Sequence, residues 1–107
     1  VTFILPNRPR IEIEFVVDTG FDGFLMLPLE AVTAFHLPVF QRIEANLADG
    51  TNRRATLHTA IVLWEGQERE VQVLALGTRP LLGTFLMDAQ ELVVQFVDNG
   101  LVTLDPL

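Results

Sequence analysis

The chain has 107 residues, half of them hydrophobic, and a formal net charge of -7, so a single domain with an acidic surface is expected. That charge excludes nucleic acid as the main partner, since phosphate binding needs patches of Lys and Arg, and it disfavours anionic membrane surfaces. The absence of cysteine rules out disulfides, thiolate metal sites and cysteine nucleophiles, and it fits a reducing compartment, so a cytoplasmic location is the expectation.

Along the chain the pattern is mostly period two, the signature of strands. Val1 to Leu5 reads as a strand, ended by the turn signal Pro6-Asn7-Arg8-Pro9. Ile11 to Phe15 alternates apolar and charged, then turns fully apolar through Val17, so one strand enters the core just before Asp18. Phe24 to Leu27 is a further short strand. Pro28 to Phe35 reads as a short helix with proline in its first turn, ended by His36-Leu37-Pro38. Gln41 to Ala48 and Thr51 to Trp64 form a hairpin about Asp49-Gly50. Arg69 to Leu76 returns as a strand, and Gly77 to Pro80 is a loop. Leu81-Leu82-Gly83 precedes a short helix over Thr84 to Ala89, and Leu92 to Val97 with Leu101 to Leu104 closes the chain as a hairpin about Asp98-Asn99-Gly100. The sum is an all-β domain of short strands, a small barrel or sandwich with one or two short helices. No apolar run approaches a membrane span, so this segment is not expected to insert. No signal peptide is visible, and the opening on Val1 rather than Met fits a piece of something longer.

The residues that carry chemistry are Asp18-Thr19-Gly20, delivered from Phe15-Val16-Val17 into a glycine-containing turn, Phe21-Asp22-Gly23. Two carboxylates sharing a proton can activate water: the ionised member takes a proton from it, and the protonated member donates a hydrogen bond to the scissile carbonyl. One copy of the triplet per chain then predicts a homodimer. Thr19 can donate one hydrogen bond and accept another, which suits the joining of two facing loops. Gly20 lets backbone approach the carboxylates. Taken alone, the triplet is also ordinary turn chemistry; the context of Phe24 to Pro28 and the distant Leu81-Leu82-Gly83 alters the weighing.

With those elements in order, the chain resembles the retropepsin-like aspartic peptidases, and most closely the small bacterial members with Asp-Thr-Gly-Phe. The likeness covers nearly the whole chain, 1–107, as a single domain providing half of a dimeric active site. It implies a closed or partly open acid-protease barrel and an aspartic endopeptidase that works without cofactor or metal on a peptide or protein substrate. In that likeness Asp18 of each subunit joins the dyad, Thr19 links the loops across the dimer axis, and Gly20 and Asp22 hold substrate backbone. Arg79 and Leu81 line side-chain pockets, and the hairpin bearing Asp49 and Gly50 closes over the substrate as a flap. The chain departs from the viral pattern at Thr84, where an Arg often pairs with the acid after the triplet. It has no tyrosine for a pepsin-like flap, and its own flap carries the polar Asn52, Arg53 and Arg54.

The remaining polar residues have plainer readings. His36 and His58 stand alone without ligand spacing and suit surface or packing roles. Trp64 reads as a packing residue. Glu65, Glu68 and Glu70 form a charged turn and strand edge. The same fold can also serve as an inactive peptide-binding or dimerisation module, because fold does not fix function. A β-rich sensor domain with Asp18 in a structural turn is a third reading.

Overall fold

Alternating apolar and polar residues dominate the chain, and the backbone follows them. In the computed structural model, which describes residues 1–107, strands take up 49% of the chain and helix 8%, so the small all-β class is what forms. The elements are β1 (Thr2–Ile4), β2 (Ile11–Glu12), β3 (Val16–Val17), β4 (Leu25–Leu27), α1 (Leu29–Ala34), β5 (Val39–Asn46), β6 (Asn52–Trp64) and β7 (Gln67–Ala75). They are followed by β8 (Leu81–Leu82), a single 3₁₀ turn (Thr84–Leu86), β9 (Gln90–Val94) and β10 (Val102–Pro106). Eight strands form one sheet in the order β2-β1-β6-β7-β4-β8-β3, with β5 also paired to β6, while β9 and β10 form a separate two-stranded hairpin.

The sheet has to curl. β2 and β3 occupy opposite ends of the strand order, yet only Ile13, Glu14 and Phe15 separate them in the chain. The expected single strand over Ile11 to Val17 is therefore two. Its first part pairs with β1, and the Ile13 backbone exchanges hydrogen bonds with Val1 at 2.8 and 2.9 Å. Its second part pairs with β8 on the far side of the curl. β6 is long because it serves two neighbours on one edge: its first half pairs with β5 and its last residues with β1.

One apolar side of the sheet makes the core. Phe3, Leu25, Leu27, Val62, Val71 and Val73 are buried there with Val32 of α1 and Leu86 of the 3₁₀ turn. Phe3 stacks on Phe15 at 6.0 Å and leans on Phe35 at 6.1 Å. α1 ends where His36 turns to φ +53°, and the Arg8 guanidinium donates to the Ala34 carbonyl at 2.9 Å, satisfying one of the open helix-end acceptors. Trp64 packs on the core edge. His58 is buried, with Nδ1 donating to the Leu37 carbonyl at 2.8 Å and Nε2 accepting from the Thr56 hydroxyl at 2.7 Å. It therefore ties β6 to the end of α1, a packing role, while His36 is exposed.

Two expectations near the C-terminus are corrected. The helix expected over Thr84 to Ala89 stops after one 3₁₀ turn, because Ala89 adopts φ +57° and β9 starts at Gln90. The closing hairpin is shifted outward to 90–94 and 102–106. Its wider turn is closed by the Gln95 N–H on the Leu101 carbonyl at 2.9 Å and the Leu101 N–H on Gln95 Oε1 at 3.0 Å. No helix is long and apolar enough to cross a membrane.

Candidate functional site

Asp18 is set at its position by the strand inserted beside it. β3 and β4 are consecutive in sequence, but β8 lies between them, parallel to β3 and antiparallel to β4. The connection from Asp18 to Phe24 must therefore pass over the end of β8. The Asp18 N–H donates to the Leu82 carbonyl at 2.9 Å, and the next three amides return the contact. Gly83 donates to Phe24 at 2.9 Å, Thr84 to Phe21 at 2.9 Å and Phe85 to Gly23 at 3.1 Å. Gly83 is buried, and a Cβ there would stand 2.2 Å from the Gly23 carbonyl oxygen and 2.7 Å from that of Phe21. Only a residue without a side chain lets the two segments approach this closely.

Within the loop, the Gly20 N–H donates to Asp18 Oδ1 at 2.9 Å and the Phe21 N–H to the Asp18 carbonyl at 3.2 Å. These bonds fix the carboxyl rotamer and leave its other oxygen free of any partner in the chain. Asp18 is half-buried, whereas Thr19 and Gly20 are exposed. The Asp18–Gly20 bond alone suits a plain Asx turn as well as a catalytic loop; what distinguishes the site is the cleft beside it.

That cleft, of about 420 Å³, is lined by Asp18 with Val16, Met26, Thr78, Arg79 and Leu81, and by Val17 and Gly77. Three of the residues singled out in the sequence, Asp18, Arg79 and Leu81, thus converge although they come from separate segments. Gly77 has φ +81° and turns the chain out of β7, so that Thr78 and Arg79 reach the rim. Met26 was missed by the sequence reading, although alternation had the signal: Leu25 and Leu27 face the core, so Met26 must face the other way. The pairing extends this face into a row, Val16 beside Leu81, Leu81 beside Met26, Met26 beside Leu74 and Leu74 beside Leu57. An apolar floor therefore runs from the Asp18 cleft toward the β5–β6 hairpin.

Asp22 is exposed, and Thr84 Oγ1 lies 3.2 Å from its Oδ1 and 3.3 Å from the Phe21 carbonyl. Thr84 thus supplies Asp22 with a donor. Asp49 and Gly50 sit at the hairpin tip and do not line the cleft in the single chain. Asp49 Oδ1 accepts from the Thr51 hydroxyl at 2.6 Å and the Thr51 N–H at 2.9 Å. These bonds, the hydroxyl's first, hold the Asp49 carboxyl below the usual carboxylate range.

A larger depression, about 590 Å³, lies under the base of that hairpin between Arg42, Glu44, Arg54, Thr56 and Leu29. The strand register sets Glu44 against Arg54 there. Size alone does not make it the candidate site, since the motif carboxylate opens into the smaller cleft. No group of three His, Asp or Glu side chains converges as metal ligands. Comparison with family models, with characterised proteins and with solved structures gives no match.

Proposed function

We propose that the chain is one half of a retropepsin-like aspartic endopeptidase, in which Asp18 of two subunits activates water for peptide-bond hydrolysis. The observation that carries this reading is the half-buried Asp18 carboxyl on a loop braced by β8, opening into a cleft with an apolar floor. The ionised carboxylate takes the water proton, and its protonated partner donates to the scissile carbonyl. An extended peptide lies along the row from Val16 to Leu57, under the β5–β6 flap with Asp49 and Gly50 at its tip. Thr19, exposed and without a hydrogen-bond partner in its own chain, faces the partner loop. Gly20 and Asp22 hold substrate backbone, and Arg79 and Leu81 bound its side chains.

The second copy is called for twice, by chemistry and by surface. β9 and β10 pair only with each other, and a lone two-stranded sheet is marginal in water. Yet this hairpin exposes Phe96 at 93%, Val97 at 70% and Leu101 at 62%, together with Val93 and Val102. A second copy of the same hairpin, docked about a two-fold axis, would cover that face and add strand pairing.

The test is cleavage of a denatured protein by wild type and by Asp18→Asn. Wild type should cut with a bell-shaped pH profile belonging to the carboxylate pair, and Asp18→Asn should not cut at all. Equal cleavage by the variant would overturn the assignment. The second reading, an inactive peptide-binding module, is favoured by the Asx turn that satisfies Asp18 locally; a dimer that binds peptides and cuts none would establish it.

A further inference from the structure

We propose that Thr84 is the positioning residue of the Asp18 loop and that its hydroxyl, not its bulk, does the positioning; this rests on the reading of Asp18 as catalytic. Thr84 and Asp22 are 62 residues apart in the chain, and they meet because β8 runs between β3 and β4. The Thr84 N–H holds the Phe21 carbonyl at 2.9 Å. The hydroxyl has one proton and two acceptors in reach, the same carbonyl at 3.3 Å and Asp22 Oδ1 at 3.2 Å, a three-centre arrangement. It therefore grips the loop at its backbone and at the carboxylate placed to meet substrate.

Phe21 passes that grip to the triplet. Its N–H returns to the Asp18 carbonyl at 3.2 Å. Its ring fills the space over two glycines: a Cβ on Gly23 would stand 2.6 Å from the ring, and one on Gly83 2.7 Å from it. The ring cannot swing inward, so displacement of Phe21 has to move the backbone that carries Asp18. An Arg in place of Thr84 would bind Asp22 by charge at long reach. The short hydroxyl instead links Asp22 to the loop backbone without adding a cation beside the carboxylates.

The test compares Thr84→Val, which keeps the shape and loses the hydroxyl, with Thr84→Ser, which keeps the hydroxyl. Two readouts are taken on the full chain: peptide cleavage and amide hydrogen exchange over residues 18–23. Thr84→Val should speed exchange of the loop amides while those of β4 and β7 stay protected. It should lower kcat between about tenfold and a hundredfold with KM nearly unchanged, the mark of a reacting group held slightly out of place. Thr84→Ser should restore both. Loop exchange in Thr84→Val equal to wild type, or a Ser variant that behaves like Val, overturns the proposal. If wild type cleaves nothing, exchange alone decides: a Val–Ser difference then retains the hydroxyl's role while the peptidase reading falls. If wild type cleaves and the loop is unmoved in Thr84→Val, the peptidase reading stands and this proposal falls. Should Thr84→Val fail to fold, Thr84→Ala, which differs from Thr84→Ser only by the hydroxyl, is read against Thr84→Ser in the same way.

Discussion

At the scale of single residues, positions are decided by what a side chain meets. Phe3 is fully buried and packs between Phe15 and Phe35, so Phe3→Ala should cost about 3–5 kcal/mol, measured by urea unfolding. Asp49 gives a pH-dependent case. Its carboxyl is held below the ordinary range, chiefly by the Thr51 hydroxyl. The support it lends the hairpin tip is therefore complete above the ordinary carboxylate pKa and is lost as pH falls through the lowered value. In Thr51→Val the hydroxyl is gone and the backbone bond remains, so the Asp49 titration followed by NMR should move part of the way back up. The turn that carries the triplet was readable in the sequence, because Asp after an apolar run and Gly in the next residues mark a strand end. Met26 was readable by alternation within β4 but was passed over; the Thr84 hydroxyl's bond to Asp22 was not readable, since it is a contact between distant segments.

At the scale of elements, alternation located β1, β4 and β7 and the β5–β6 hairpin to within a few residues, because each buries one face and wets the other. It failed where the chain changes neighbours. From Ile11 to Val17 the pattern reads as continuous, yet the segment leaves β1 and crosses to β8, and no local preference reports that change. Near the C-terminus the backbone overrode helix preference: Ala89 takes φ +57°, a conformation that costs an L-residue about 1–2 kcal/mol. Ala89→Gly relieves this strain while adding freedom to the unfolded chain, which offsets about 0.4–1 kcal/mol. The net expectation is a gain between zero and about 1.6 kcal/mol, seen as a higher melting temperature.

At the scale of the whole molecule, the single chain buries little of itself. Only 16 of its 107 residues are buried, and its radius of gyration of 14.2 Å exceeds the roughly 13 Å expected of a packed domain of this length. The β9–β10 hairpin, which pairs with no other strand, leaves much apolar surface exposed. Replacing Phe96 and Val97 by Asp should therefore give a monomer by analytical ultracentrifugation and abolish cleavage, while the circular dichroism of the main sheet persists. A variant that remains dimeric would move the interface elsewhere. Charge bears on the proposed interface at the C-terminal hairpin: of the seven cations, all Arg, three sit on the β5–β6 hairpin at Arg42, Arg53 and Arg54, and none lies after Arg79. In the proposed dimer, apolar contact rather than ion pairing would then dominate there, and association should tolerate salt.

The place of β8 between β3 and β4 also bears on timing. During synthesis, β3 and β4 emerge early but have no direct partner in each other, and the strand that joins them comes only after β7. Until Leu81 and Leu82 arrive, the carboxyl of Asp18 hangs on an unbraced loop. Pairings between distant segments are slow to form, so the Asp18 loop is braced among the last parts of the fold. On the proposed peptidase reading, a nascent or truncated chain would carry the motif without the power to cut, and a refolding solution should regain sheet signal before it regains cleavage.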